Sequence, residues 1–315
     1  SYSVTGVQTC ALPIWRLAWG LTALGADQAD LFRLETDPVN PNRYRWNGEW
    51  RPMALRTETI AVRGGRAETI AIRETHLGPV VSEFAFRVNG DPEVALKRVP
   101  LCETDQDTLQ AAFAMMRAGG ADEFMRALGG WRFPTANCVF GDAAGRIGFS
   151  LIGALPVRPA TARGRGGGAA LRGIADGDDW RGYIPAELLP RVTDPREGYL
   201  FSANHRPVGT FYPLGLGLST GSMGDTIRSW RLRERLSAVA RFTPETVLAV
   251  HYDTVNPARR EIVRLGRHLR EHGGLSEDAE RALAVLGPWS DAGASSDLRE
   301  AGAELATRID RKSVV

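Results

Sequence analysis

The chain has 315 residues, 43% of them hydrophobic and 24% charged, an ordinary globular composition that suffices for one large core or two modest ones. A net charge of +2 with no clustered basic face gives no case for a nucleic-acid partner, and no apolar run reaches the ~18–20 residues of a membrane span. Cys10, Cys102 and Cys138 stand far apart with no metal-ligand spacing, and Cys102 and Cys138 read as structural free thiols.

Residues 1–14 lack the basic start and long apolar centre of a signal peptide. Together with residues 311–315 they read as non-native, adapter-like ends, which leaves 15–310 for fold reasoning. Residues 16–32 predict a strand, a Gly/Ala loop and a second strand. Arg43-Tyr44-Arg45-Trp46 then runs into Asn47-Gly48, a strong hairpin turn. Residues 58–63 and 68–73 alternate polar and apolar around Gly64-Gly65, and Thr75-His76-Leu77-Gly78-Pro79-Val80 follows. His76 reads as structural.

Residues 107–117 and 121–128 carry apolar side chains at helical spacing. Residues 134–149 predict a hairpin turning at Asp142-Ala143-Ala144-Gly145, and 159–178 a Gly-, Ala- and Arg-rich loop. Residues 194–198 predict a turn, and 199–203 a short aromatic strand ending at Asn204-His205-Arg206-Pro207. An amide fixed at the end of a rigid strand suits developing negative charge; its plainer reading is a turn cap. Residues 210–224 read as a loop, and helices follow at 225–240, from a capping start at Thr243, at 257–272, at 276–286 and near the end. On the 257–272 helix, Ile262, Leu265 and Leu269 form the expected apolar stripe.

Several of these stretches resemble, in order, the penicillin acylase family of N-terminal nucleophile hydrolases. They are Trp180-Arg181-Gly182-Tyr183-Ile184-Pro185, the run from Gly198-Tyr199 to Asn204-His205-Arg206-Pro207, Thr75-His76-Leu77-Gly78-Pro79-Val80, the 137–148 hairpin and Gly153-Ala154-Leu155-Pro156-Val157-Arg158. The resemblance covers roughly residues 16–310 and implies an α+β fold, a four-layer αββα sandwich of antiparallel sheets flanked by helices. It implies a catalytic-chain fragment of an acylase that cleaves linear amides, from β-lactam side chains to N-acyl homoserine lactones. The attack would come from an N-terminal serine whose α-amino group acts as base. Asn204 and the backbone N–H of Ala23 would bind the oxyanion, Arg228 would order substrate or nucleophile, and Leu21 would line the acyl pocket. Asp27, the carbonyl of Ala29 and Asp30 would hold a structural calcium ion, with no organic cofactor. An α chain from the same precursor and a periplasmic or secreted location are also implied. The family nucleophile lies several tens of residues before the oxyanion loop, and only 22 precede Ala23 here, so Ser1 is taken as a coincidence and the fragment as inactive.

Two other readings compete. The chain could be a family member that only binds or packs. Alternatively, Gly217-Leu218-Ser219-Thr220-Gly221 matches a nucleophile elbow, with Asp225 or Asp253 and His251 in triad order. Pro213, Gly215 and Gly217 argue against the strand that an elbow needs. His268-Leu269-Arg270-Glu271-His272 matches an inverted zinc-protease motif, but it closes a helix before Gly273-Gly274 and reads as a solvated helix end.

Overall fold

The computed structural model describes residues 16–82, 93–99, 108–159, 170–209, 212–217, 226–296 and 301–312. The chain divides into two compact units, residues 1–224 and 225–315.

In the first unit, β1 (Leu17–Ala23) pairs antiparallel with β9 (Ala136–Asp142), which pairs with β10 (Ile147–Ile152) and that with β12 (Arg191–Thr193). The β9–β10 turn forms because the Asp142 carboxylate accepts the Ala144 and Arg146 N–H groups, both at 3.0 Å. Strand alternation puts Leu17, Ala136, Cys138, Phe140 and Ile152 into one core. Helices α1 (Thr108–Arg117) and α2 (Ala121–Leu128) cover that core with Met115, Phe124 and Leu128. The opposite face meets a second core of Leu24, Leu151, Leu155, Ile184, Leu189 and Leu216. Covered on both faces, the sheet is a rigid platform for whatever its β1 edge carries.

A second sheet joins β2 (Ala29–Arg33) to β8 (Val94–Arg98) antiparallel and to β11 (Leu171–Arg172) in parallel. The short β11 lies in the stretch expected to be all loop. The expected hairpin of β3 (Arg43–Trp46) and β4 (Glu49–Pro52) turns at Asn47 and Gly48, with φ of 51° and 85°. β5 (Ala54–Ile60), β6 (Glu68–Thr75) and β7 (Gly78–Pro79) form a third sheet. The alternation seen there does not bury a face: β5 is exposed along its whole length.

Residues 199–203 are not a strand. The outer edge of β10 is already taken by β12, and the turn after it leaves through Asp194 and Gly198 at φ of 48° and 72°. Here the chain is held by stacked rings instead, Tyr199 on Phe201 and Phe201 on His205, with the latter centroids 5.2 Å apart.

The second unit contains α3 (Ile227–Ser237), α4 (Pro244–His251), α5 (Pro257–His272), α6 (Glu277–Asp291) and α7 (Ala301–Lys312). Its core is Val263, Leu283, Leu286, Trp289, Ala294, Ala303 and Ala306. Ile262, Leu265 and Leu269 are exposed, contrary to the expected stripe. Arg260, Val263 and Arg267 turn inward in their place. The two arginines donate to the carbonyls of Gly293 and Gly287 around the end of α6, where the helix dipole favours cations.

Candidate functional site

The candidate site is the end of β1. Leu24 N–H donates to the Thr135 carbonyl at 3.4 Å, which makes Leu24 and Thr135 a hydrogen-bonded pair of the ladder. Bonding alternates along an antiparallel strand, so the preceding pair, Ala23 and Ala136, is non-bonded. Both the N–H and the C=O of Ala23 therefore point away from β9. Among the described residues β1 pairs with β9 alone, so these groups lie on a sheet edge.

Asn204 meets that edge. Its Nδ2 donates to the Ala23 carbonyl at 2.9 Å. The residue sits in the left-handed region at φ 60°, a conformation that asparagine tolerates better than most side chains. One position before Ala23 and two before Asn204, the Thr22 and Ser202 hydroxyls bond at 2.5 Å. The Ala203 N–H donates to His205 Nδ1 at 3.2 Å, so the segment is braced internally as well. The structure thus brings together two of the predicted site residues, Ala23 and Asn204, which are 181 positions apart. Leu21 packs half-buried against the core under α2. Arg228 belongs to the second unit, in the first turn of α3, which holds no acidic residue. A cation there opposes the helix dipole and gains nothing from it.

The loop from β1 to β2 is pinned from three sides. The buried Gln28 amide donates at 2.8 Å to the carbonyls of Arg132 and Ala154 and accepts from Thr135 N–H. Asp27 N–H donates to the Gly217 carbonyl at 2.9 Å. Gly217 has φ 62°, and a Cβ there would lie 3.0 Å from Arg158 and 3.2 Å from Asp27, so a larger residue would be both strained and crowded. On the third side, Arg158 Nε and the Trp180 indole N–H both donate to Asp30 Oδ2, at 2.7 and 2.6 Å. Arg158 Nη2 reaches the Asp27 carbonyl at 3.0 Å and its carboxylate at 3.4 Å. Lys97 pairs with Asp179 beside the Trp180 ring. Burial pushes the Asp30 carboxyl up, against the opposing pull of Arg158 and Trp180.

This arrangement does not fit a calcium ion at Asp27, Ala29 and Asp30. Calcium takes about six to eight oxygens and repels cations. Here a guanidinium spans the two carboxylates, and Asp27 Oδ1 already accepts the Ala29 N–H at 3.2 Å. Among the described residues no group of three or more His, Cys, Asp or Glu is placed to hold a metal.

The rival constellations gain little. Residues 218–221 and 225, with Ser219 and Asp225, lie outside the described residues, and Asp253 is bound by Arg231 through two bonds of 2.9 and 2.7 Å. His272 Nδ1 is bonded to the His268 carbonyl at the end of α5. His76 bonds the Tyr44 hydroxyl at 2.8 Å and packs on Trp46, and burial lowers its pKa. Cys138 is wholly buried, which pushes its thiol up to about 12 and leaves it unreactive. Sequence reasoning assigned no role to Thr22, Gln28, Arg158 or Ser202. Arg158 and Trp180 did stand in noted motifs, which was the signal available. Gln28 gave none beyond standing one residue after Asp27.

The fold is that of a solved penicillin G acylase, the thermostable enzyme from Alcaligenes faecalis. It aligns with a TM-score of 0.70 at 24% identity over 87% of this chain and 48% of that one. The sequence profile of the penicillin amidase family matches residues 1–311, and the chain belongs to this family. Curated relatives include the penicillin acylase 2 proenzyme of Pseudomonas sp. (strain SE83), 32% identical over 77% of this chain and 30% of the relative. Another is the acyl-homoserine lactone acylase QuiP of Pseudomonas fluorescens (strain Pf0-1), 28% identical over 90% of this chain and 34% of the relative. The chain thus spans about a third of the length of these relatives.

Proposed function

We propose that the whole protein is an acylase that hydrolyses a linear amide, with Ala23 and Asn204 as the donors to the oxyanion. The observation that carries this reading is the Asn204 amide bonded at 2.9 Å to Ala23, the last residue of β1 and one whose backbone faces the open edge. One of the two amide protons goes to the Ala23 carbonyl, which fixes the plane of the group next to the Ala23 N–H. The second amide proton and that N–H are the donors assigned to the developing negative charge. Such donors act only as the tetrahedral intermediate forms, so they lower the barrier without tightening substrate binding.

The nucleophile in this reading is the N-terminal serine of the whole protein's catalytic chain, and not Ser1. Its Oγ adds to the amide carbonyl as the α-amino group takes the proton. Collapse of the intermediate breaks the C–N bond and protonates the leaving amine, and water then releases the acid. Arg228 is assigned to a substrate or nucleophile contact, as the family resemblance implies. Leu21 is assigned to the acyl pocket. The names of the relatives support β-lactam side-chain amides and acyl-homoserine lactones as substrate classes. "Proenzyme" in one of them supports a precursor that also supplies an α chain. Four layers, αββα, and a periplasmic or secreted location belong to the same reading. Among the described residues no helix is long and apolar enough to cross a membrane.

The test is to incubate the whole protein with a phenylacetyl-amide and an N-acyl homoserine lactone and to quantify free amine. Stoichiometric release of amine and acid from either is expected. Binding of both with no amine released would favour the reading as a module that only binds.

A further inference from the structure

We propose that Arg158 is the resident cation of the Asp27–Asp30 loop, standing where the family resemblance calls for a divalent metal. A planar guanidinium can donate along two edges at once, and Arg158 does so. Nε serves the Asp30 carboxylate at 2.7 Å, while Nη2 serves the Asp27 carbonyl at 3.0 Å and lies 3.4 Å from the Asp27 carboxylate. The side chains of Arg158 and Asp30 are only 13% and 4% exposed, so water neither screens the pair nor replaces it. Trp180 donates a second N–H to the same Asp30 oxygen, and the Gly217 turn passes so close that a Cβ there would crowd both Arg158 and Asp27.

Together these contacts do for the loop what a bound metal ion does: the guanidinium sets positive charge against two neighbouring acids, and distant segments are tied to one centre. Arg158 reaches the loop across 128 positions and Trp180 across 150. Removing the guanidinium leaves a buried carboxylate uncompensated, which costs far more than the intact pair contributes. The inference is independent of amide hydrolysis, because it is read from stability and cation uptake.

The test melts the 315-residue chain in calcium and in chelator, and follows calcium uptake by titration calorimetry. A metal held only by the folded state raises the midpoint. The wild-type midpoint is expected to be the same in both buffers, with no saturable uptake. Arg158→Gln is expected to lower it by roughly 5–10 °C, with Arg158→Lys in between. Adding Asp30→Asn to Arg158→Gln is expected to recover part of the loss, since the buried charge has gone with its partner. A wild-type midpoint that climbs with calcium, an Arg158→Gln protein that melts like wild type, or a double variant no better than Arg158→Gln would each overturn the proposal. Should neither variant fold, the wild-type comparison decides: a flat response sustains Arg158 as the cation, and a calcium-dependent shift removes it from that role.

Discussion

Asn137 shows how much a single residue on this platform can conceal. It is 1% exposed on β9, opposite Thr22, and among the described residues neither its Oδ1 nor its Nδ2 meets a hydrogen-bond partner. Strand alternation sets it on the sheet face away from Cys138 and Phe140, the face that also carries Thr22. A buried amide without partners costs about 1–3 kcal/mol, so such a residue is a liability to the fold and persists for another reason. Asn137→Leu removes the liability at nearly constant volume. Thermal melting is expected to give a midpoint equal to or above wild type, and a clear drop would mean that Asn137 stabilises the sheet.

At the scale of elements, the second unit depends on a charged clamp between two helices. Asp253, just after α4, accepts both Nε and Nη2 of Arg231 on α3 and lies 3.2 Å from Arg235. The hydrogen bonds from Arg231 hold its carboxyl below the unperturbed 3.8. A depressed folded pKa means a contribution fully present above about 3.8 and lost as pH falls through the lower folded value. Asp253→Asn is therefore expected to cost roughly 1–3 kcal/mol at neutral pH. The difference from wild type should shrink as melts are taken below pH about 4. A difference constant from pH about 7 to about 3 would mean that the carboxylate charge plays no part. Capped helix starts were readable because they are local, whereas the helix expected to stop at 286 runs on to Asp291. Thr243 caps α4 as its sequence suggested, through the Thr246 N–H at 3.3 Å. The buried face of α5 was not readable, because the neighbouring carbonyls that draw Arg260 and Arg267 inward come from α6.

Across the whole molecule, the sequence announced those features whose causes lie within a few residues. Asn47-Gly48 and the Asp142 turn were legible because left-handed φ angles and short side-chain bonds leave a compositional trace. The meeting of Ala23 and Asn204 was legible only through family motifs, since no spacing rule joins positions 181 apart. Residues 199–203 misled because β-propensity says nothing about whether a sheet edge is already occupied. Arg158 was passed over because its importance exists only when Asp27, Asp30 and Trp180 have come together around it.

In the proposed function the Asn204 amide serves the transition state at the open end of β1. The direct measurement is the steady-state kinetics of Asn204→Ala in the whole protein with an acyl-amide substrate, alongside its melting curve. The lost donor is expected to lower kcat by about 10²–10³ while KM changes little and the fold persists. A kcat within about threefold of wild type would make Asn204 a turn residue that merely ties its segment to Ala23, and would contradict the account.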